Sequence, residues 1–80
     1  MGVPPKLVWR CRRGVKELDI LLGRYLEQRY NDAGVQEHVL FDRLLELQDP
    51  VLLKYLMGKQ SPEDAELCQL VELIRGLAVN

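Results

Sequence analysis

The sequence from residue 15 to residue 30 reads VKELDILLGRYLEQRY, and this stretch decides the fold class. Its apolar side chains recur at intervals of three and four residues, which gathers them on one face of an α-helix. This face comprises Val15, Leu18, Leu21, Leu22, Tyr25 and Leu26, with Arg29 in the same register. Gly23 lies inside the predicted helix, where glycine costs stability relative to alanine, so we expect another helix to approach closely there.

Further helices are predicted on both sides of this stretch. The first runs from about Lys6 to Arg13, because the prolines at residues 4 and 5 are tolerated in a first helical turn. Gly14 follows in the place of a C-terminal glycine and ends it. The third helix spans residues 35–47. Its inward side chains are Leu40, Phe41, Leu44 and Leu45.

Two capped helices complete the chain. Asp49 is the predicted N-cap of the fourth helix, ahead of Pro50, and this helix contains residues 51–57. Because it is apolar on nearly every side, we expect it to be buried in the middle of the bundle. Ser61 is the predicted N-cap of the fifth helix, which presents one apolar face. That face comprises Leu67, Leu70, Val71, Ile74 and Leu77.

The composition agrees with an all-α fold. The chain has 80 residues, of which 48% are hydrophobic, and it contains sixteen Leu but no Thr. Leu favours helix, and this length allows one core. We therefore predict a compact five-helix bundle, a single domain over residues 1–80 with an ordered core at about 6–76 and fraying at 78–80. The leucine stripes can all be used within one bundle, so we expect a monomer.

No membrane or secretory segment is evident in the sequence. No apolar run approaches the roughly 18 residues that a membrane-spanning helix requires. The opening residues also lack the apolar stretch of a secretory signal. We therefore expect a soluble, cytoplasmic protein.

The net charge of −1 conceals a strong asymmetry. Residues 1–16 carry +5 and residues 17–80 carry −6. Two interpretations stay open: the basic segment binds nucleic acid, acidic protein or lipid headgroups, or it complements the acidic body of its own chain. Trp9, beside three arginines, could stack on nucleobases, but we favour a core anchor of the first helix. The isoelectric point near 5.8 argues against a domain built to hold a polyanion.

The sequence offers few groups for catalysis or metal binding. His38 is the single histidine, and we expect it to be an exposed or edge residue on the third helix. Cys11 and Cys68 are far apart and form no CxxC pair, so we predict two small buried thiols, with a disulfide left open. No glycine-rich phosphate loop is present. We therefore predict a protein that is not an enzyme, with no catalytic residues, no metal site and no tightly bound cofactor.

Residues 9–22 read WRCRRGVKELDILL and contain an RGxxE motif at Arg13, Gly14 and Glu17. This motif resembles the signature of the succinate dehydrogenase flavinylation (FAD assembly) factors, a family of small helical proteins. The similarity continues in RRGxxELD at residues 12–19, RLLELQDPVLLKYL at 43–56 and DAEL…LVELIR at 64–75. Val15 stands where many members carry Met, and Tyr55 where many carry Trp. Both keep apolar bulk.

The resemblance implies an assembly factor. Such a protein binds the flavoprotein subunit of succinate dehydrogenase, and in some cases of fumarate reductase, and promotes covalent attachment of FAD to a histidine of that subunit. FAD is then the cofactor of the partner. The start of the sequence, with no presequence before Lys6, favours a bacterial member. The alternative is a basic-arm nucleic-acid-binding protein or an antitoxin-type small regulatory protein.

The predicted partner-binding residues are Arg12, Arg13, Gly14, Lys16 and Glu17. Gly14 would let a partner's backbone approach closely, and Arg13 offers a planar fork of donors for a carboxylate. Glu17 would orient Arg13 or accept a donor from the partner, while Arg12 and Lys16 would add steering charge. The competing interpretation is an ordinary helix stop at Gly14 and an ordinary exposed ion pair between Arg13 and Glu17. We expect Gly14→Arg to leave the fold largely intact and to abolish partner binding.

Overall fold

The computed structural model describes residues 3–77 and is helical, with no strand in that range. The helices are α1 (Pro5–Cys11), α2 (Lys16–Gln28), α3 (Val35–Leu45), α4 (Asp49–Leu56) and α5 (Ala65–Arg75). A short 3-10 helix, Tyr30–Asp32, joins α2 to α3. The prediction of an all-α, five-helix bundle is confirmed, whereas the predicted fraying at 78–80 lies outside the described residues.

The predicted stripe of α2 forms the centre of the core. Leu18, Leu22 and Tyr25 have no solvent exposure, and Leu26 is buried beside them. Helices α1, α4 and α5 all pack against α2, and α3 packs on α5. The ring of Phe41, from α3, stacks on Tyr25 with the centroids 4.3 Å apart. The apolar stripe of α2 is therefore the surface on which α1, α4 and α5 pack, and α3 contacts it through Phe41.

Helix α4 is not buried in the middle of the bundle, so that prediction is wrong. Its buried residues are Leu52 and Leu56, which face α2 and α5. Val51 and Met57 are 38% and 40% exposed. A helix of eight residues makes little more than two turns. One face is enough to fasten it, and its remaining apolar side chains stay in contact with water.

The caps of α4 and α5 also differ from the prediction. Gln48 is the N-cap of α4, and Asp49 is the first helical residue. Helix α5 begins at Ala65, and Asp64, rather than Ser61, is its N-cap. The Asp64 carboxylate accepts the Leu67 backbone N–H at 3.0 Å, which satisfies one of the free donors at the helix start.

Gly23 and the cysteines require two further corrections. Beyond its chain neighbours and its own helix backbone, a Cβ atom on Gly23 would meet no atom of residues 3–77 within 4 Å, so none of the other described helices approaches closely there. Cys11 is buried as predicted, but Cys68 is only half-buried. Both thiols are free, so the disulfide alternative is excluded. Burial raises the pKa of the Cys11 thiol to about 11, because the thiolate is poorly solvated in the core.

Candidate partner-docking surface

The predicted site lies where the chain turns from α1 into α2. Helix α1 ends at Cys11, with Arg12 as its C-cap, so Gly14 stands two residues beyond the cap and is not an ordinary helix stop. Gly14 has a φ of +83°, in the left-handed region that L side chains rarely adopt. Apart from its chain neighbours, a Cβ atom there would meet none of the other described residues within 4 Å. The turn therefore needs glycine for its backbone conformation and not for lack of space.

The side chain of Arg13 is turned into the protein. Its Nε donates to a carboxylate oxygen of Asp49 at 2.5 Å, and Nη1 donates to the Leu45 carbonyl at 3.0 Å. Nη2 donates to the Leu47 carbonyl. The side chain is 15% exposed. Carbonyl groups at a helix end lack intrahelical partners, so this arginine clamp caps α3 and fixes the first turn of α4.

Asp19 holds the same junction from the other side. Its carboxylate, in the first turn of α2, accepts the backbone N–H of Arg13 at 2.7 Å. A negative charge is favourable at this helix end. Asp19 was not among the predicted site residues, although it ends the RRGxxELD match. The spacing from Gly14 to a first-turn carboxylate was the signal that could have identified it.

The expected ion pair between Arg13 and Glu17 does not form. Arg13 is engaged by Asp49, and the Glu17 side chain is exposed and has no hydrogen bond or ion pair with the described residues. Arg12 and Lys16 are exposed as well. The structure thus brings all five predicted residues to one turn, but only Arg12, Gly14, Lys16 and Glu17 face solvent. We call these four residues the junction surface.

Part of the basic segment does complement the acidic body. Arg10 pairs with Asp42 of α3 at 3.1 Å and with Glu46, the C-cap residue of that helix, at 3.4 Å. Arg13 pairs with Asp49. The remaining cations of residues 1–16 have no ion pair with the part of the chain that the structure describes, and they are Lys6, Arg12 and Lys16. Neutralising two of five cations weakens the field that a polyanion would meet.

Trp9 is not a core anchor, so that prediction is wrong. The residue is 71% exposed. Leu7 and Cys11, four residues apart, supply the buried face of α1, and Trp9 lies on the opposite side of the helix. The guanidinium carbon of Arg12 lies over its ring, 5.9 Å from the centroid.

An open groove of about 650 Å³ runs between α1 and α2 beside the junction surface. Its lining includes Val8, Cys11, Arg12, Gly23, Leu26 and Glu27. At Gly23 itself, the α2 wall of the groove carries no side chain. Because Arg12 borders both features, the groove and the junction surface are continuous.

A polar cluster closes the far end of α2. The Glu37 carboxylate accepts the Tyr25 hydroxyl at 2.8 Å and the Arg29 guanidinium at 3.0 and 3.1 Å. These bonds, with Arg29 foremost, lower the pKa of Glu37. His38 is half-buried, stacks on Tyr30 with centroids 4.0 Å apart and contacts its carbonyl at 2.8 Å. His38 therefore lies at an edge as predicted, and this cluster joins α2 to α3.

Two features are absent from the described residues. Between residues 3 and 77, no group of three His, Cys, Asp or Glu side chains could hold a metal ion. In the same range, each helix is too short or too polar to cross a membrane.

Comparison with known proteins gives consistent matches over most of the chain. Residues 5–78 match the family described as the flavinator of succinate dehydrogenase. The FAD assembly factor SdhE of Methylococcus capsulatus is 44% identical over 72 residues, which cover 90% of this chain and 87% of that protein. The protein of the same name from Shewanella oneidensis is 43% identical over 70 residues, with coverages of 88% and 85%. That from Coxiella burnetii is 38% identical over 73 residues, with coverages of 91% and 89%.

Proposed function

This chain belongs to the flavinator of succinate dehydrogenase family, and from that membership we propose that it is an assembly factor for the flavoprotein subunit of succinate dehydrogenase. It binds that subunit and promotes the covalent attachment of FAD. The family resemblance predicted from the RGxxE motif is confirmed, and the relatives reported above are bacterial. The flavoprotein of fumarate reductase is a second proposed target, and the proposed setting is the bacterial cytoplasm.

The observation that best supports the proposed location of the docking site is the way the turn between α1 and α2 is held. Arg13 and Asp19 hold the turn rigidly from within, and Gly14 gives it a left-handed backbone. The side chains of Arg12, Lys16 and Glu17 are exposed on its outer side and have no ion pair with the described residues. A preorganised surface with unpaired charges loses little entropy on binding, which suits recognition of a folded partner.

We propose that the chain acts without catalytic groups of its own. The only thiol near the junction surface, Cys11, is buried and stays protonated at neutral pH because its pKa is raised to about 11. A protonated thiol is a poor nucleophile. FAD is the cofactor of the partner, and the bond-forming chemistry belongs to the flavin and the flavoprotein.

The proposed mode of action is a shift in the population of flavoprotein conformers. A factor that binds more tightly to the conformer with FAD beside its acceptor histidine raises the fraction of that conformer. The affinity difference between conformers sets the size of the effect. The factor acts as a monomer in this scheme.

One observation favours a second candidate, a nucleic-acid-binding or antitoxin-type regulator. The exposed ring of Trp9 beside Arg12 has the composition of a base-stacking site. The ion pairs of Arg10 and Arg13 weigh against this candidate, because they consume cations that a phosphate backbone would need.

The direct test is a flavinylation assay with purified components. The apo flavoprotein subunit is mixed with FAD and with the chain, the mixture is denatured and separated on a gel, and flavin fluorescence is read on the subunit band. We expect the signal to rise with the chain present. No rise under conditions where the subunit is folded would overturn the proposed function.

Glu17→Ala tests the junction surface within that assay. Glu17 is exposed and has no partner in the described chain, so we expect its removal to slow flavinylation several-fold at limiting factor concentration and to leave the melting temperature nearly unchanged. Glu66→Ala is the matched control, since Glu66 is also an exposed acid in a helix first turn, at the start of α5. Equal flavinylation by both variants would remove Glu17 from the docking site.

A further inference from the structure

Trp9 is an unusual residue to leave in water. It is the single Trp of the chain, and 71% of its surface is exposed. An isolated exposed Val is common on protein surfaces, whereas a large exposed aromatic side chain is informative because burying it would gain much free energy. Among the described residues, the Arg12 guanidinium lies over the ring, and most of the ring is still left in contact with water.

The ring is also presented on a fixed support. Leu7 and Cys11 anchor the opposite face of α1 in the core, and Arg10 pairs with Asp42 of α3 and with Glu46 at the C-cap of that helix. Because α1 is fastened on both sides, Trp9 cannot move inward without unpacking the helix.

Arg12 restricts the ring itself. Its guanidinium carbon lies 5.9 Å from the ring centroid, within the range of a cation–π interaction. A side chain that is already held in one orientation loses less rotamer entropy when a partner covers it. Tryptophan and arginine are the residue types that most often contribute large shares of binding energy at protein interfaces.

We propose that Trp9 is an anchor that inserts into an apolar pocket of the flavoprotein subunit, with Arg12 pairing to a carboxylate at the rim of that pocket. This proposal rests on the proposed function and extends the junction surface, since Arg12 belongs to that surface and contacts Trp9. Arg12, the cation beside the ring, has no ion pair within the described residues and would complement an acidic rim on the partner.

The single tryptophan permits a direct test. The chain is produced with fluorotryptophan, so that its fluorine NMR spectrum contains one resonance, and unlabelled apo flavoprotein subunit is added. We expect this resonance to shift and broaden, and its sensitivity to exchange of H2O for D2O to fall as the ring leaves water. An unchanged resonance, with binding and flavinylation both observed, overturns the role of Trp9 and leaves the proposed function standing.

The other occupants of this face are distinguished in the same experiment. A resonance that shifts as the labelled chain alone is concentrated would assign the face to a second copy. A shift on addition of a single-stranded DNA oligonucleotide, at physiological salt, would assign it to nucleic acid. Either result without a response to the flavoprotein overturns the proposal. Failure of the chain to bind the flavoprotein at all overturns it together with the proposed function.

Substitutions then measure the contribution of the ring. We expect Trp9→Ala to raise the dissociation constant for the apo flavoprotein at least about tenfold, and Trp9→Phe to raise it less. Val35→Ala is the control, because Val35 is 79% exposed on α3. All three variants should melt within a few degrees of the parent. Equal dissociation constants for Trp9→Ala and Val35→Ala would overturn the proposal.

Discussion

Gly14 and Gly58 use the same backbone conformation in two different surroundings. Their φ values are +83° and +76°, the positive values found between residues 3 and 77. At the end of α4, the Lys59 backbone N–H donates to the Lys54 carbonyl and the Gly58 backbone N–H donates to the Tyr55 carbonyl. This pair of hydrogen bonds is a common way to close a helix. Gly14 lies beyond the cap of α1 and makes no such closure.

The neighbouring arginines differ in the same way. The guanidinium of Arg75 lies over Gly58, so that a Cβ atom there would come within 2.5 Å of its Nη2. At the other turn Arg13 points inward to Asp49, and none of the described residues other than its chain neighbours lies within 4 Å of a Cβ atom placed on Gly14. The chain covers one left-handed turn with its own side chain and leaves the other open. An open turn on a rigid support is available to a partner, which is the property that the proposed docking site needs.

The largest expected effect is the difference in the free energy of unfolding between an Arg13 variant and an Arg75 variant. Arg13→Ala leaves the Asp49 carboxylate and the Leu45 and Leu47 carbonyls without their donor, so we expect a loss of about 2–3 kcal/mol in the free energy of unfolding. Arg75 is exposed, and Arg75→Ala should change the free energy of unfolding by less than about 0.5 kcal/mol. Urea unfolding of the two variants measures the difference. Similar values for both would show that the arginine clamp is not the element that holds the junction.

The next effect compares the glycines themselves. Gly14→Ala and Gly58→Ala should each lower the free energy of unfolding by about 1–2 kcal/mol, because an L side chain is strained at positive φ. At Gly58 the flexible end of Arg75 must also move. We expect flavinylation to fall only with the substitution at Gly14. If both glycine variants lost flavinylation activity in proportion to their loss of stability, Gly14 would have a role in folding only.

Gly14→Asn refines that comparison, since Asn tolerates the left-handed region better than other L residues. It adds a side chain at the junction surface with less strain than Ala, so lost flavinylation with a nearly unchanged melting temperature would place the partner close to residue 14. The same φ alters the expectation for Gly14→Arg, which now carries a conformational cost in addition to its effect on docking.

The smallest expected effect is a gain in the free energy of unfolding, whereas the variants above lower it. Gly23 is a helical glycine without a positive φ, and a Cβ atom there meets nothing. We therefore expect Gly23→Ala to raise the free energy of unfolding by about 0.5–1 kcal/mol, measured in urea. It is the control for the two turns, because it adds the same methyl group where neither strain nor a neighbour opposes it. A destabilised Gly23→Ala variant would mean that the helix needs the glycine.

Periodic features of the fold could be predicted from the sequence. The stripe of α2 repeats over almost four turns, so its inward face was unambiguous, and Leu18, Leu22 and Tyr25 are fully buried. Helix α1 makes only two turns, which support more than one choice of inward face. In the structure Leu7 and Cys11 are buried in the core, and Trp9, which has the largest apolar side chain of the helix, is exposed to solvent.

Contacts between distant residues could not be predicted in this way. Asp49 had the local pattern of an N-cap, but in the structure its carboxylate binds Arg13, 36 residues earlier. Arg13 and Glu17 had the spacing of a local ion pair, which the more enclosed partners of Arg13 displaced. The residues of the candidate site were therefore identifiable from the RGxxE motif, whereas their division into inward and outward side chains depended on the tertiary fold.

The arginine clamp has a consequence for the order in which the protein matures. The partners of Arg13 lie 32 to 36 residues further along the chain. During translation the N-terminal helices leave the ribosome first, and until residue 49 has emerged the turn at Gly14 has only the bond to Asp19 and lacks the arginine clamp. Contacts of this length form late, after the cost of closing the loop has been met. With the proposed docking site, we therefore expect a nascent fragment that already carries the complete RGxxE motif to dock poorly, and only the nearly finished chain to present the supported turn to the flavoprotein.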